Sequence, residues 1–260
     1  MSKRYAIIGD IVAEDFGESI HPGAAGAIAL SLRDLGGEVT LRSCIGDDDA
    51  GTEVLQHLKA ARIHPKNIDV IEGNTCALVR HEDGSFTDWQ QGALMTKGGV
   101  MDIYALFGHD ALVLDLLDQS LRHFLTDLPA HTDGTVRMAT TLRHLDHIPA
   151  QANELEIAMR CDTIIGTEEQ YTKMTGLPSA SEALGEIFAQ MPFAALRAAI
   201  AITPDGLQCV ARDSRIIKPV QDAIPNLLAP RVAAAVAWGM AHHADWDVVL
   251  NVALDADTAQ

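Results

Sequence analysis

The chain has 260 residues, 48% of them hydrophobic and only 5% aromatic. That is enough apolar material for one sizeable core, made mostly of Ala, Leu, Val and Ile. The formal net charge of −17, offset by no basic stretch, argues against nucleic acid and anionic membranes as partners.

Cys44, Cys76, Cys161 and Cys209 show no C-x-x-C spacing. Such scatter fits reduced thiols in a cytosol, not a disulfide framework or a zinc site. Residues 1–10 hold too short an apolar run for a signal peptide. No stretch approaches the roughly 18 apolar residues of a membrane span. The expectation is a cytoplasmic protein.

Residues 5–8 form a short apolar run that ends in Gly9-Asp10, the pattern of a buried first strand. Residues 24–35 have helical spacing and stop at Gly36-Gly37. A second strand is predicted over 39–44, and an amphipathic helix over 51–61 with Val54, Leu55 and Leu58 on one face. Residues 76–81 and 85–89 read as strands joined by Glu82-Asp83-Gly84, a hairpin signal. A strand over 111–116 leads into a helix through residue 125. Further core strands are predicted over 136–140, 163–165 and 199–203, with helices near 151–160, 168–175, 181–190 and 231–243. The alternation of strand and helix predicts an α/β fold with a mostly parallel sheet covered on both faces. The 76–89 hairpin breaks that alternation and is expected to project as a flap.

Three runs follow at a characteristic spacing: Pro22-Gly23-Ala24-Ala25-Gly26-Ala27, then Leu35-Gly36-Gly37-Glu38-Val39, then Ile45-Gly46-Asp47-Asp48-Asp49-Ala50-Gly51. Together with Thr75 to Gly84, Gly92-Ala93 and Thr167-Glu168-Glu169-Gln170, they resemble the ribokinase or PfkB family of carbohydrate kinases. The resemblance implies a single domain over 1–260, a Rossmann-like three-layer α/β/α fold with a reduced β lid at 76–89. It also implies phosphorylation of a sugar or nucleoside hydroxyl from ATP with magnesium. By the same resemblance Glu14, Gly23, Asp47 and Arg143 would bind the substrate, and Thr203 and Gly206 would lie near the nucleotide.

The departures concern the chemistry. Glu14 stands where the family often has a sugar-binding Asp, and Ala27 stands where it has an Asn. Arg143 is the remnant of the family's F-D-P-N-x-R. Thr167 and Gln170 replace the Asn and Glu that order magnesium-bound water, so a hard cation loses its anchor. The nucleotide loop is shortened to Thr203-Pro204-Asp205-Gly206, whose last two residues read as a hairpin turn. The catalytic D-T-T-G-A-G-D aligns with 225–231, which puts Arg231 at the base position. A guanidinium cannot take a proton, and Leu228 and Pro230 replace the glycines that let backbone N–H groups approach phosphate. Pro230 suits the first turn of the helix that follows. Residues 251–260 stand where the family's adenine-covering segment would begin.

Three readings follow. The first is a pseudokinase that binds a small-molecule ligand or a protein partner, with no catalytic residue, no metal and no cofactor. The second is a divergent kinase that uses magnesium and ATP, with Asp205 or Asp222 as a displaced base. The third is an unrelated enzyme using Glu14, Asp47 and Arg143. Histidine pairs such as His242-His243 and His144 with His147 lack a clear third ligand. The lid hairpin, with Phe86 and Trp89 as anchors, is expected to form a homodimer contact.

Overall fold

The structure, a computed structural model, describes residues 2–17, 19–96, 108–127, 137–142 and 153–255. Its strands are β1 (Arg4–Gly9), β2 (Val12–Asp15), β3 (Ile20–His21), β4 (Glu38–Gly46), β5 (Ile68–Ile71), β6 (Cys76–Arg80), β7 (Phe86–Gln90), β8 (Ala111–Asp115), β9 (Arg137–Thr141), β10 (Thr163–Thr167), β11 (Ala198–Thr203), β12 (Gly206–Ala211) and β13 (Arg215–Pro219). Its helices are α1 (Gly23–Asp34), α2 (Asp49–Ala60), α3 (Gln119–Asp127), α4 (Glu154–Ala158), α5 (Glu168–Thr175), α6 (Ala180–Gln190), α7 (Pro225–His242) and α8 (Trp246–Leu254).

Nine strands form one sheet in the order β13-β12-β11-β10-β9-β8-β1-β4-β5. Strands β5 to β11 of that order pair in parallel, and β12 and β13 close one edge antiparallel. The inner strands are apolar at successive positions because both faces are covered. In β1, Ile7 packs with Leu41, Val113 and Ile200 against α1 and α7, while its neighbour Ile8 packs with Leu112 and Leu114 against α3. This period of two sends alternate side chains to opposite layers.

Helix α7 explains how a chain so poor in aromatics closes its core. Residues 232–237 are all buried, and all are Val or Ala. Such small side chains let the helix lie between the sheet, α1 and α8. Gly239 marks the tightest approach, since a Cβ there would stand 2.2 Å from Val249 Cγ2 of α8. The four free cysteines are buried. Burial pushes the thiols of Cys44, Cys161 and Cys209 up to about 12, which leaves them unreactive at neutral pH.

The predicted strands and helices recur with small shifts of boundary; β5, β12, β13 and α8 were not predicted, and two further features differ. The 76–89 hairpin is not alone: β2 and β3 join it in a four-stranded sheet of order β3-β2-β6-β7. Also, α7 starts at Pro225 rather than near residue 231, so Pro230 lies inside the helix. Among the described residues no helix is long and apolar enough to cross a membrane.

Replacing Gly239 by Ala is predicted to destabilise the fold by about 1–3 kcal/mol through overpacking. Adding Val249→Ala should recover part of that loss, because it removes the colliding methyl group. Urea denaturation of the two single variants and the double variant measures the coupling.

Candidate functional site

The parallel strands change winding direction between β1 and β8, and in open α/β sheets ligand sites lie beyond the carboxyl ends of strands at such a point. A cavity of about 570 Å³ opens there. Its floor holds Asp115, Thr141 and Thr167 from the ends of β8, β9 and β10. Glu14, Arg80 and Phe86 cover it from the lid sheet, and the starts of α1, α5 and α7 form the walls.

The sequence places each of these groups for a local reason. Glu14 lies in β2, one residue before its end, and is only 7% exposed. Arg80 reaches it from β6, the parallel neighbour of β2. Arg80 Nη2 donates to Glu14 Oε1 at 2.7 Å and Arg80 Nε donates to Oε2 at 3.1 Å. A two-pronged ion pair of this kind is the strong form of charged hydrogen bond. The Arg80 guanidinium also lies 5.7 Å from the Phe86 ring centre. Gly23, at the start of α1, has φ +58, and a Cβ there would meet the Val12 carbonyl oxygen at 2.5 Å. His21 lies nearby; burial, then His57, lower its pKa below the ordinary 6.5 against the pull of Glu14. Asp115 accepts a hydrogen bond from Thr141 Oγ1 at the floor.

The remaining predicted residues lie elsewhere. Asp47 is exposed and accepts from Gly73 N at 2.9 Å, outside the cavity lining. Its neighbour Asp48 does the structural work of the acidic run. It caps α2 through Gly51 N and accepts from Thr75 N and Thr75 Oγ1. Thr203 donates to the Gly206 carbonyl at 3.1 Å in the β11–β12 turn. Gly206 is wedged there, its missing Cβ only 2.1 Å from the Lys218 carbonyl oxygen. Asp205 and Asp222 come together in a separate shallow depression beside residues 219–221 and 223. Arg143, His144 and His147 lie outside the described residues. His242 stacks on Trp238, and no group of three metal-ligating side chains occurs among the described residues. Phe86 and Trp89 are half-buried against the lid's own core of Val12, Cys76 and Leu78, which reduces what they can offer a partner.

Arg231 does not stand over the cavity. Its Nη2 donates to the Asp255 carbonyl at 2.8 Å, and the cavity wall is made instead by Asn226, Leu227, Ala229 and Pro230. The reason is the early start of α7, which turns residue 231 away and brings residue 230 inward. The first turn of α7 is also poor in free donors. Pro225 has no N–H, and the N–H groups of Leu227 and Leu228 close on the Ile224 carbonyl at 3.1 and 3.0 Å. Thr167 and Gln170 form a reciprocal capping box at the start of α5, with Thr167 N donating to Gln170 Oε1 at 2.8 Å. Sequence reasoning missed Arg80 and Asp115. Asp115 carried a usable signal, as a lone acid closing an apolar strand; Arg80 carried none.

The chain belongs to the pfkB family of carbohydrate kinases, whose model matches residues 13–210. No curated protein matches the sequence. The fold is similar to that of an Arabidopsis thaliana ribokinase solved with ribose and ATP, at 15% identity and a TM-score of 0.74 over 97% of this chain and 91% of that one. It is similar to a PfkB protein from Polaromonas sp. JS666, at 14% identity and a TM-score of 0.74 over 100% and 95% of the two chains. The phosphofructokinase-2 of Escherichia coli, solved with fructose-6-phosphate, shares 14% identity and a TM-score of 0.69 over 100% and 93%. At such identities these likenesses establish the ribokinase-type fold.

Burial raises the Asp48 pKa, but hydrogen bonds from Thr75 and Gly51 outweigh it and hold the carboxyl below the ordinary 3.8. A lowered folded-state pKa stabilises above the unfolded value and is lost as pH falls through the folded one. Asp48→Ala should therefore cost about 1–2 kcal/mol at neutral pH, and the deficit should shrink only below pH 3.8. Asp47→Ala should cost less than Asp48→Ala at every pH. Denaturation curves from pH 3 to 7 test both statements.

Proposed function

We propose that this pfkB-family chain binds an uncharged polyhydroxylated small molecule beneath its lid and transfers no phosphoryl group to it. It would act through occupancy, as a sensor, a regulator or a subunit. The start of α7 carries this reading. Phosphoryl transfer needs a base for the acceptor hydroxyl and a backbone cradle for the phosphates. At the corresponding wall the cavity presents Leu227, Ala229 and Pro230, with Asn226 as the one polar side chain, and no acid or glycine. Base and anion hole each contribute orders of magnitude in rate, so the joint absence of an acid and of glycines from this stretch weighs against turnover. The described residues also fit Mg·ATP poorly, since Thr167 and Gln170 are engaged with each other as a helix cap.

Charge supports an uncharged ligand. The arginine and the lysine of the described lining are both paired with carboxylates of the same lining, Arg80 with Glu14 and Lys173 with Glu169, and burial lowers the pKa of its histidine, His21. An anionic ligand would have to compete with those partners. A hydroxyl group can donate to Glu14 or Asp115 without breaking either pair.

Thermal melting in the presence of unphosphorylated sugars, polyols and nucleosides tests the proposal. At least one should raise the melting temperature of the wild type, and Glu14→Gln should weaken that ligand about tenfold or more. The same panel with Mg·ATP should release no ligand-dependent ADP. Ligand-dependent ADP release that disappears in Asp205→Asn or Asp222→Asn would overturn the proposal in favour of a divergent kinase.

A further inference from the structure

Arg80 is engaged beyond its ion pair. Besides the two bonds to Glu14, its Nη1 donates to the Gly84 carbonyl at 2.9 Å. That carbonyl also accepts from Asn226 Nδ2, in the first turn of α7, at 3.2 Å. Gly84 itself has φ +80, and a Cβ on it would stand 2.5 Å from Ile224 Cγ2. The tip of the lid hairpin therefore rests on the start of α7, and only glycine allows the approach. Along the chain this seat at residues 224–226 lies between the depression residues 219–223 and the cavity residues 226–230.

We infer that Arg80 is a positioning residue and that the lid tip is a latch. One planar guanidinium fixes both Glu14 oxygens and, through the Gly84 carbonyl, locks the hairpin onto α7. The guanidinium that holds the Glu14 carboxylate thus also holds the carbonyl on which the tip is seated. Opening the cavity requires release of the Gly84–Asn226 contact, a local event well below global unfolding. The identity of the occupant rests on the polyol reading above, whereas the latch does not.

Hydrogen–deuterium exchange of the whole ligand-free chain tests the latch alone. Asn226→Ala should speed exchange at residues 81–87 and 224–228 about fivefold, the effect of one lost hydrogen bond, with the central sheet unchanged. Arg80→Lys keeps the charge but cannot fork to Glu14 and still reach Gly84, so it should behave like Asn226→Ala. Wild-type exchange in Arg80→Lys would reduce Arg80 to a charge partner and overturn the inference. So would unchanged exchange at 81–87 in Asn226→Ala, or a uniform rise across the chain. Because no ligand is present, the result stands or falls apart from the polyol-binding proposal.

Discussion

The close packing of α7 is the constraint on which the rest of the molecule depends. This helix is buried along most of its length because its side chains are small, and it touches the sheet, α1 and α8 together. Its far end presents Gly239 to Val249 of α8. Its near end forms one wall of the cavity and the seat of the lid. A helix held so tightly leaves little freedom in where its first turn points. Beginning the helix at Pro225 therefore decides both that Pro230 lines the cavity and that Arg231 turns away to the Asp255 carbonyl.

The consequence is a pfkB-family fold whose cavity has polar groups under the lid and mainly apolar ones at the start of α7. Under the lid, Glu14 and Arg80 form a rigid polar pair over a floor that carries Asp115 and Thr141. A pair this shielded is strongly destabilising to break from one side, because the remaining charge is left buried and unpaired. At the other end Pro225 removes a backbone donor and Ile224 takes two more. Fold does not carry function by itself; the groups at the start of α7 are what the binding proposal rests on.

Most of the fold was legible because its signals are strong and local. The apolar runs of β1, β8 and β11 are too dense for anything but buried strands, and Gly36-Gly37 ends α1 plainly. The lid strands β2 and β3 were not legible, since Val-Ala-Glu-Asp and Ile-His are too short to show a period. The start of α7 was ambiguous for a physical reason. Pro225 and Pro230 both suit a first helical turn, and tertiary packing, absent from the sequence, selects the earlier one. Of the residues named through the family resemblance, Glu14 and Gly23 line the cavity and Asp47 does not, while its neighbour Asp48 caps α2. Arg80 was invisible because its partner lies 66 residues away, joined only by the parallel pairing of β2 with β6.

Calorimetric titration of the purified chain with Mg·ATP and with Mg·ADP tests the central claim most directly. The start of α7 as it stands predicts no detectable heat with either nucleotide up to millimolar concentration. Binding near micromolar affinity would contradict the account. It would mean that the phosphates find a cradle elsewhere and would favour the divergent-kinase reading.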